Sequence, residues 1–104
     1  MSRVSNVIVT FSALEQPSKI MEINQFFINA GYERGLVSIE DESLPPGWYG
    51  GNKPFESEIM IGAFNFLNTD DLISHVDDIR WEDRSSVQVF LQEQTDKKFR
   101  VFEF

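Results

Sequence analysis

Two stretches of helical periodicity, residues 17–30 and 69–81, interrupt five runs in which apolar residues recur at every second position. A helix brings every third or fourth side chain to one side, whereas a strand brings every second, so neither pattern serves well in the other's place. In 17–30, Ile20, Ile23, Phe27 and Ala30 make one stripe. Pro17 suits the first helical position, and Gly31 suits the left-handed cap after the last. Ser12 and Glu15 have capping-box spacing and offer a rival start. In 69–81, Asn68 is an N-cap with Asp71 three residues on. Asp70 and Asp71 suit the positive end of the helix dipole, and Leu72, Ile73, Val76 and Ile79 form the apolar stripe.

Of the strand runs, 6–12 sets Val7, Val9 and Phe11 against Ile8 and Thr10, which suggests a central strand. Residues 35–40 form a short strand carrying Val37 and Ile39. In 57–67, Ile59, Ile61 and Ala63 share one face and Met60, Phe64 and Phe66 the other; Gly62 marks a bulge or a close backbone approach. Runs 86–93 and 99–104 form a hairpin around Thr95, Asp96 and Lys97. The order β-α-β-β-α-β-β implies one α+β domain over residues 1–104. The expected architecture is a two-layer sandwich, ferredoxin-like in its β-α-β-β-α-β part, with an extra C-terminal strand. Both helices lie on one face of a mainly antiparallel sheet. A chain of 104 residues, 41% apolar, can bury one real core.

Two helices leave the second sheet face bare. If residue 91 pairs with 101, Leu91 and Val101 turn to the helices and Phe90 and Phe102 meet on the far side. Ile8, Phe64 and Phe66 join them there. The group Phe64, Phe66, Phe90 and Phe102 is thus an expected aromatic or dimer face, too apolar for water alone. Three covers compete for it: the 41–56 loop, a second copy, or another protein.

That loop contains the stretch LPPGWYGGNKPFES, residues 44–57, where Pro45, Pro46, Gly47, Gly50 and Gly51 surround Trp48 and Tyr49. Such a long irregular loop in a small domain is commonly functional. Trp and Tyr bury much area at little rotamer cost and are enriched at interface hot spots. They serve as a lid on the sheet, as anchors for a partner, or in a mixed use with Trp48 packed inward on the domain and Tyr49 more exposed.

The net charge is −8, from seventeen acids and nine bases. A polyanion repels phosphate backbones and anionic lipid surfaces, which argues against direct nucleic-acid or membrane binding. It favours a basic protein partner reached by electrostatic steering. No run of about eighteen apolar residues exists to span a bilayer as a helix. The N-terminus lacks a signal peptide's apolar core and cleavage site, which points to the cytoplasm. There is no cysteine, hence no disulfide or thiolate chemistry.

Motifs for chemistry are sparse. His75 is the single histidine, flanked at helical spacing by Asp71 and Asp78, and without a nucleophile it reads as a helix-surface residue. The acids Asp70, Asp71, Asp77, Asp78, Glu82 and Asp83 lack the calcium-loop pattern, so no metal or cofactor is implied. Gly50-Gly51-Asn52-Lys53 lacks phosphate-loop spacing. Asp70, Asp71, Asp77 and Asp78 read instead as a steering patch, with Trp48 and Tyr49 as anchors. In size, charge and exposed aromatics the chain resembles the small acidic immunity and inhibitor proteins that bacteria and phages make against nucleases. That resemblance implies a non-enzymatic inhibitor or regulator of a basic protein. The alternative is a dimeric ligand-sensing regulatory domain of ferredoxin-like type. An enzyme built on His75 ranks last.

Overall fold

A computed structural model describes residues 3–53 and 55–104. Five strands and two helices form an α+β fold: β1 (Val4–Ser12), α1 (Ser18–Asn29), β2 (Val37–Ser38), β3 (Ser57–Asn65), α2 (Thr69–Asp78), β4 (Gln88–Glu93) and β5 (Arg100–Glu103). The sheet order is β2-β3-β1-β4-β5, and every neighbouring pair is antiparallel. The central strand β1 pairs with β3 on one side and β4 on the other.

Both helices lie on one face. Val7, Val9 and Phe11 of β1, Met60 and Phe64 of β3 and Val89 and Leu91 of β4 share one core with Ile23 and Phe27 of α1 and Leu72 and Val76 of α2. The helices run antiparallel: Lys19 Nζ donates to the Arg80 carbonyl near one end, and the Phe26 and His75 rings meet further along. Aromatic packing joins helix to sheet. Phe27 is fully buried and stacks on Phe64 at 4.2 Å, and Tyr32 meets Phe64 edge-on at 5.1 Å.

Asn68 caps α2 as its sequence implies, accepting the Asp71 N–H at 3.1 Å. Gly31, just past α1, adopts φ 97°. Pro17 occupies the N-cap of α1, and Ser12 and Glu15 do not cap the helix. Glu15 instead turns inward, and its carboxylate accepts the N–H groups of Glu82 and Asp83 at 3.2 and 2.7 Å. The second helix stops at Asp78, short of the expected residue 81, because Ile79 is already extended. Trp81 is thereby freed to enter the core, where it packs on Phe11 at 5.1 Å and donates to the Val76 carbonyl at 2.9 Å.

Two face assignments are corrected by the pairing register. Phe64 pairs with Ser5, and so points to the helices with Val7 rather than to the bare face. Phe102 pairs with Val89 and packs against the core, while Phe90 faces Val101. The hairpin is one residue out of the expected register, and a one-residue slip moves every side chain to the other face. Phe66 leaves the sheet at φ 57°, exposed beyond the end of β3. Of the four expected aromatics, only Phe90 lies on the bare face.

Gly62 does mark a close approach. A Cβ there would lie 2.9 Å from the Phe64 ring and 3.0 Å from a Leu36 methyl. Gly62→Ala should therefore cost about 1–3 kcal/mol by overpacking. Denaturant unfolding of Gly62→Ala, Phe64→Leu and the double variant checks this. The double variant should be less damaged than the sum of the singles, because the smaller side chain relieves the same contact.

Candidate functional site

The antiparallel pairing gives the sheet two distinct ends. At one end lie the β1–α1 turn, the long β2–β3 loop, the α2–β4 linker and the chain's C-terminus. At the other lie the start of β1, the α1–β2 connection, the entry to α2 and the β4–β5 turn. The first is called here the loop end.

The Pro/Gly loop is built from successive turns. Asp41 Oδ1 accepts the Ser43 hydroxyl at 2.6 Å and its N–H at 2.8 Å, and these two bonds hold the Asp41 carboxyl below its ordinary pKa. Trp48 N–H then bonds to the Pro45 carbonyl and Gly50 N–H to the Gly47 carbonyl. Gly47 and Gly50 take φ of 69° and 77°, a region costly for a residue bearing a Cβ. The turns gather three rings: Trp48 meets Tyr49 edge-on at 5.7 Å and stacks with Phe55 at 6.4 Å.

This cluster is not a lid. Trp48, Tyr49 and Phe55 are 40%, 39% and 49% exposed, and none belongs to the core. Trp48 is thus no more buried than Tyr49, contrary to the expected division of inward and outward rings. Beside them, Phe55, Lys53 and Glu56 face Ser12, Ala13 and Leu14 across a cleft of about 500 Å³. Leu14, at 89% exposure, is the most exposed large apolar residue among the described residues. Phe55 and Leu14 were not singled out from the sequence, because neither sits in a periodic pattern.

The fold also sorts charge. Residues 13–22, 39–58, 77–88 and 103–104, which make up the loop end and the elements entering it, hold twelve acids and four bases. The rest of the chain holds five of each. The whole net charge of −8 therefore belongs to the end that carries the aromatic cluster. Two of the four bases there are engaged within the chain: Lys19 with the Arg80 carbonyl and Glu22, and Arg84 with Asp77 at 2.7 Å.

The expected patch is split by this geometry. Trp48, Tyr49, Asp77 and Asp78 lie at the loop end. Asp70 and Asp71 open α2 at the opposite end, separated from the loop by the length of β3, about 27 Å for eight strand steps. His75 is not paired with either neighbouring carboxylate among the hydrogen bonds of the described residues; its Nε2–H donates to the Glu22 carbonyl of α1 at 2.7 Å. Among the described residues no three His, Asp or Glu side chains converge as a metal ion would require, and no helix is long and apolar enough to cross a membrane.

Two acids at this end are buried, Glu15 and Glu58. Glu58 accepts the Ser38 hydroxyl from β2 and its neighbour's N–H, yet burial raises its pKa, with the Glu40 charge adding to the rise. Comparison with family models, with curated proteins and with solved structures finds no match for the chain.

Two outcomes follow for the free protein. Trp48 meets the Tyr49 and Phe55 rings and lies outside the core, so Trp48→Ala should cost at most about 1.5 kcal/mol of stability. A buried Trp would cost about 3–5 kcal/mol, and a loss of that size in denaturant unfolding would restore the lid. For Glu58, folding favours the protonated form. Its stabilising contribution is full below the ordinary carboxyl range and is lost as pH rises through the raised value. The unfolding free energy of Glu58→Gln relative to the parent should therefore shift in the variant's favour between about pH 4 and neutrality. A flat difference across that window would remove the buried charge from the account.

Proposed function

We propose that this chain is a non-catalytic binding protein that docks its loop end on a basic protein partner, inhibiting or regulating it. The observation that carries the reading is the coincidence of the entire net charge with the exposed Trp48, Tyr49 and Phe55 cluster. Charge of one sign at one end steers a basic surface toward it and sets the approach direction. The rings then supply what charge does not, apolar area that is rigid before contact and leaves water on docking. Leu14 and the cleft beneath Phe55 offer a partner side chain somewhere to go. The same field repels a phosphate backbone, so a partner such as a nuclease would be engaged on its own basic surface, as an immunity-type inhibitor engages its target.

The fold reading goes with it. Read from β4, the order β4-β1-β3-β2 with crossovers through α1 and α2 supports a ferredoxin-like core, to which β5 is added at the β4 edge.

The test uses the intact chain as bait in native lysate, followed by kinetics with the purified partner. Association should slow as salt rises. Neutralising Glu40, Asp41 and Glu42 together should slow it by about tenfold, whereas Asp70→Asn with Asp71→Asn should leave it nearly unchanged. Trp48→Ala should cost about 2 kcal/mol or more, chiefly through faster dissociation. Equal effects from the two acid sets would sink the loop-end assignment.

A further inference from the structure

The sheet face turned away from the helices is a second surface, separate from the acidic end. Register places Val37, Ile61, Ile8, Phe90 and Val101 directly opposite one another in sequence across β2, β3, β1, β4 and β5. They form one transverse apolar row with Ile8 of the central strand at its middle. Val37, Ile61 and Val101 are 49%, 52% and 50% exposed, so no element among the described residues covers the row. Asn6 and Gln92 flank it on one side and bond to each other at 3.2 Å, which lowers the cost of taking them out of water.

Charge is nearly absent here. Sixteen of the thirty strand residues point to this face, and Glu103, at a corner, is the one charged side chain among them. In a chain 25% charged, an ordinary solvent face of that size would hold about four. A basic partner finds nothing to pair with on such a surface. A second copy of a −8 chain, by contrast, finds there the broad patch on which like charges do not meet. A two-fold contact also needs a patch that complements itself, and a row centred on the middle strand meets that need when the axis passes near Ile8.

We propose that this face is the interface of a symmetric homodimer, two sheets packed face to face. Its size sets its strength. At about 3.3 Å per residue and about 4.8 Å between strands, thirty strand residues cover about 480 Å² of sheet plane. Two copies then bury on the order of 1,000 Å², the low end for specific association, so the dimer is reversible. Because the copies repel one another elsewhere, salt strengthens it, opposite to its effect on a basic partner.

Sedimentation equilibrium of the whole chain from about 1 μM to about 1 mM tests the proposal. The weight-average mass should rise from 12.0 kDa toward twice that value with concentration, and further at higher salt. Ile61→Asp and Val101→Asp, each half exposed in one copy, should fold by circular dichroism and raise the dissociation constant at least about tenfold. Val101→Asp, on the edge strand, decides the matter if Ile61→Asp fails to fold. Leu14→Asp, an exposed apolar position at the loop end, should leave the dimer intact. A parent mass fixed at 12.0 kDa throughout overturns the proposal, as does a dimer that survives both sheet substitutions or one that Leu14→Asp disperses.

Discussion

The antiparallel register of β1 against β3 and β4 governs the rest of the molecule. It places Val7, Val9 and Phe11 under the helices, and Ile8 and Thr10 on the bare side. Because side chains alternate, the same register decides that Phe64 faces Phe27 and that Ile61 does not. A slip of β1 by one residue would turn Ile8 and Thr10 toward the helices and Val7, Val9 and Phe11 away from them, while β3 and β4 kept their faces. That would put Val7 and Val9, both fully buried here, into water.

The register has an electrostatic consequence. By fixing which connections share an end, it gathers acids scattered through the sequence into one field. Holding those connections close takes buried polar contacts. Glu15 ties the β1–α1 turn to the α2–β4 linker through two N–H groups, and Lys19 ties α1 to the end of α2 through the Arg80 carbonyl. Glu58 ties β3 to β2 through Ser38 while its burial disfavours its charge. The acidic end is thus organised by carboxylates and one ammonium that point inward, while the other acids there are exposed and set the external field.

The two surfaces differ in chemistry. The loop end has charge and exposed rings but no regular strand edge; the bare sheet has apolar area but almost no charge. A homodimer formed through the second would leave both loop ends available. An arrangement of that kind would let a two-fold assembly present two acidic ends without either blocking the other.

Local chemistry was legible in the residues themselves: the Asn68 cap, Gly31 after α1, the buried stripes Ile23–Phe27 and Leu72–Val76, and the close approach at Gly62. Each depends on neighbours three or four positions away, or on a backbone that only glycine allows. The element order, and with it the α+β class, followed from the two periodicities. What sequence alone did not determine was anything set by parity or by distant pairing. It could not place Phe64 and Phe102, because both registers satisfy a period of two. It could not separate Asp70 and Asp71 from Asp77 and Asp78, because a seven-residue repeat keeps them on one side of α2 while the helix carries them to opposite ends. The single acidic end and the charge-free row centred on Ile8 exist only once strands far apart in the chain are hydrogen-bonded. Tertiary pairing decided them, because which residues become neighbours across a sheet is a property of the closed structure and not of any segment within it.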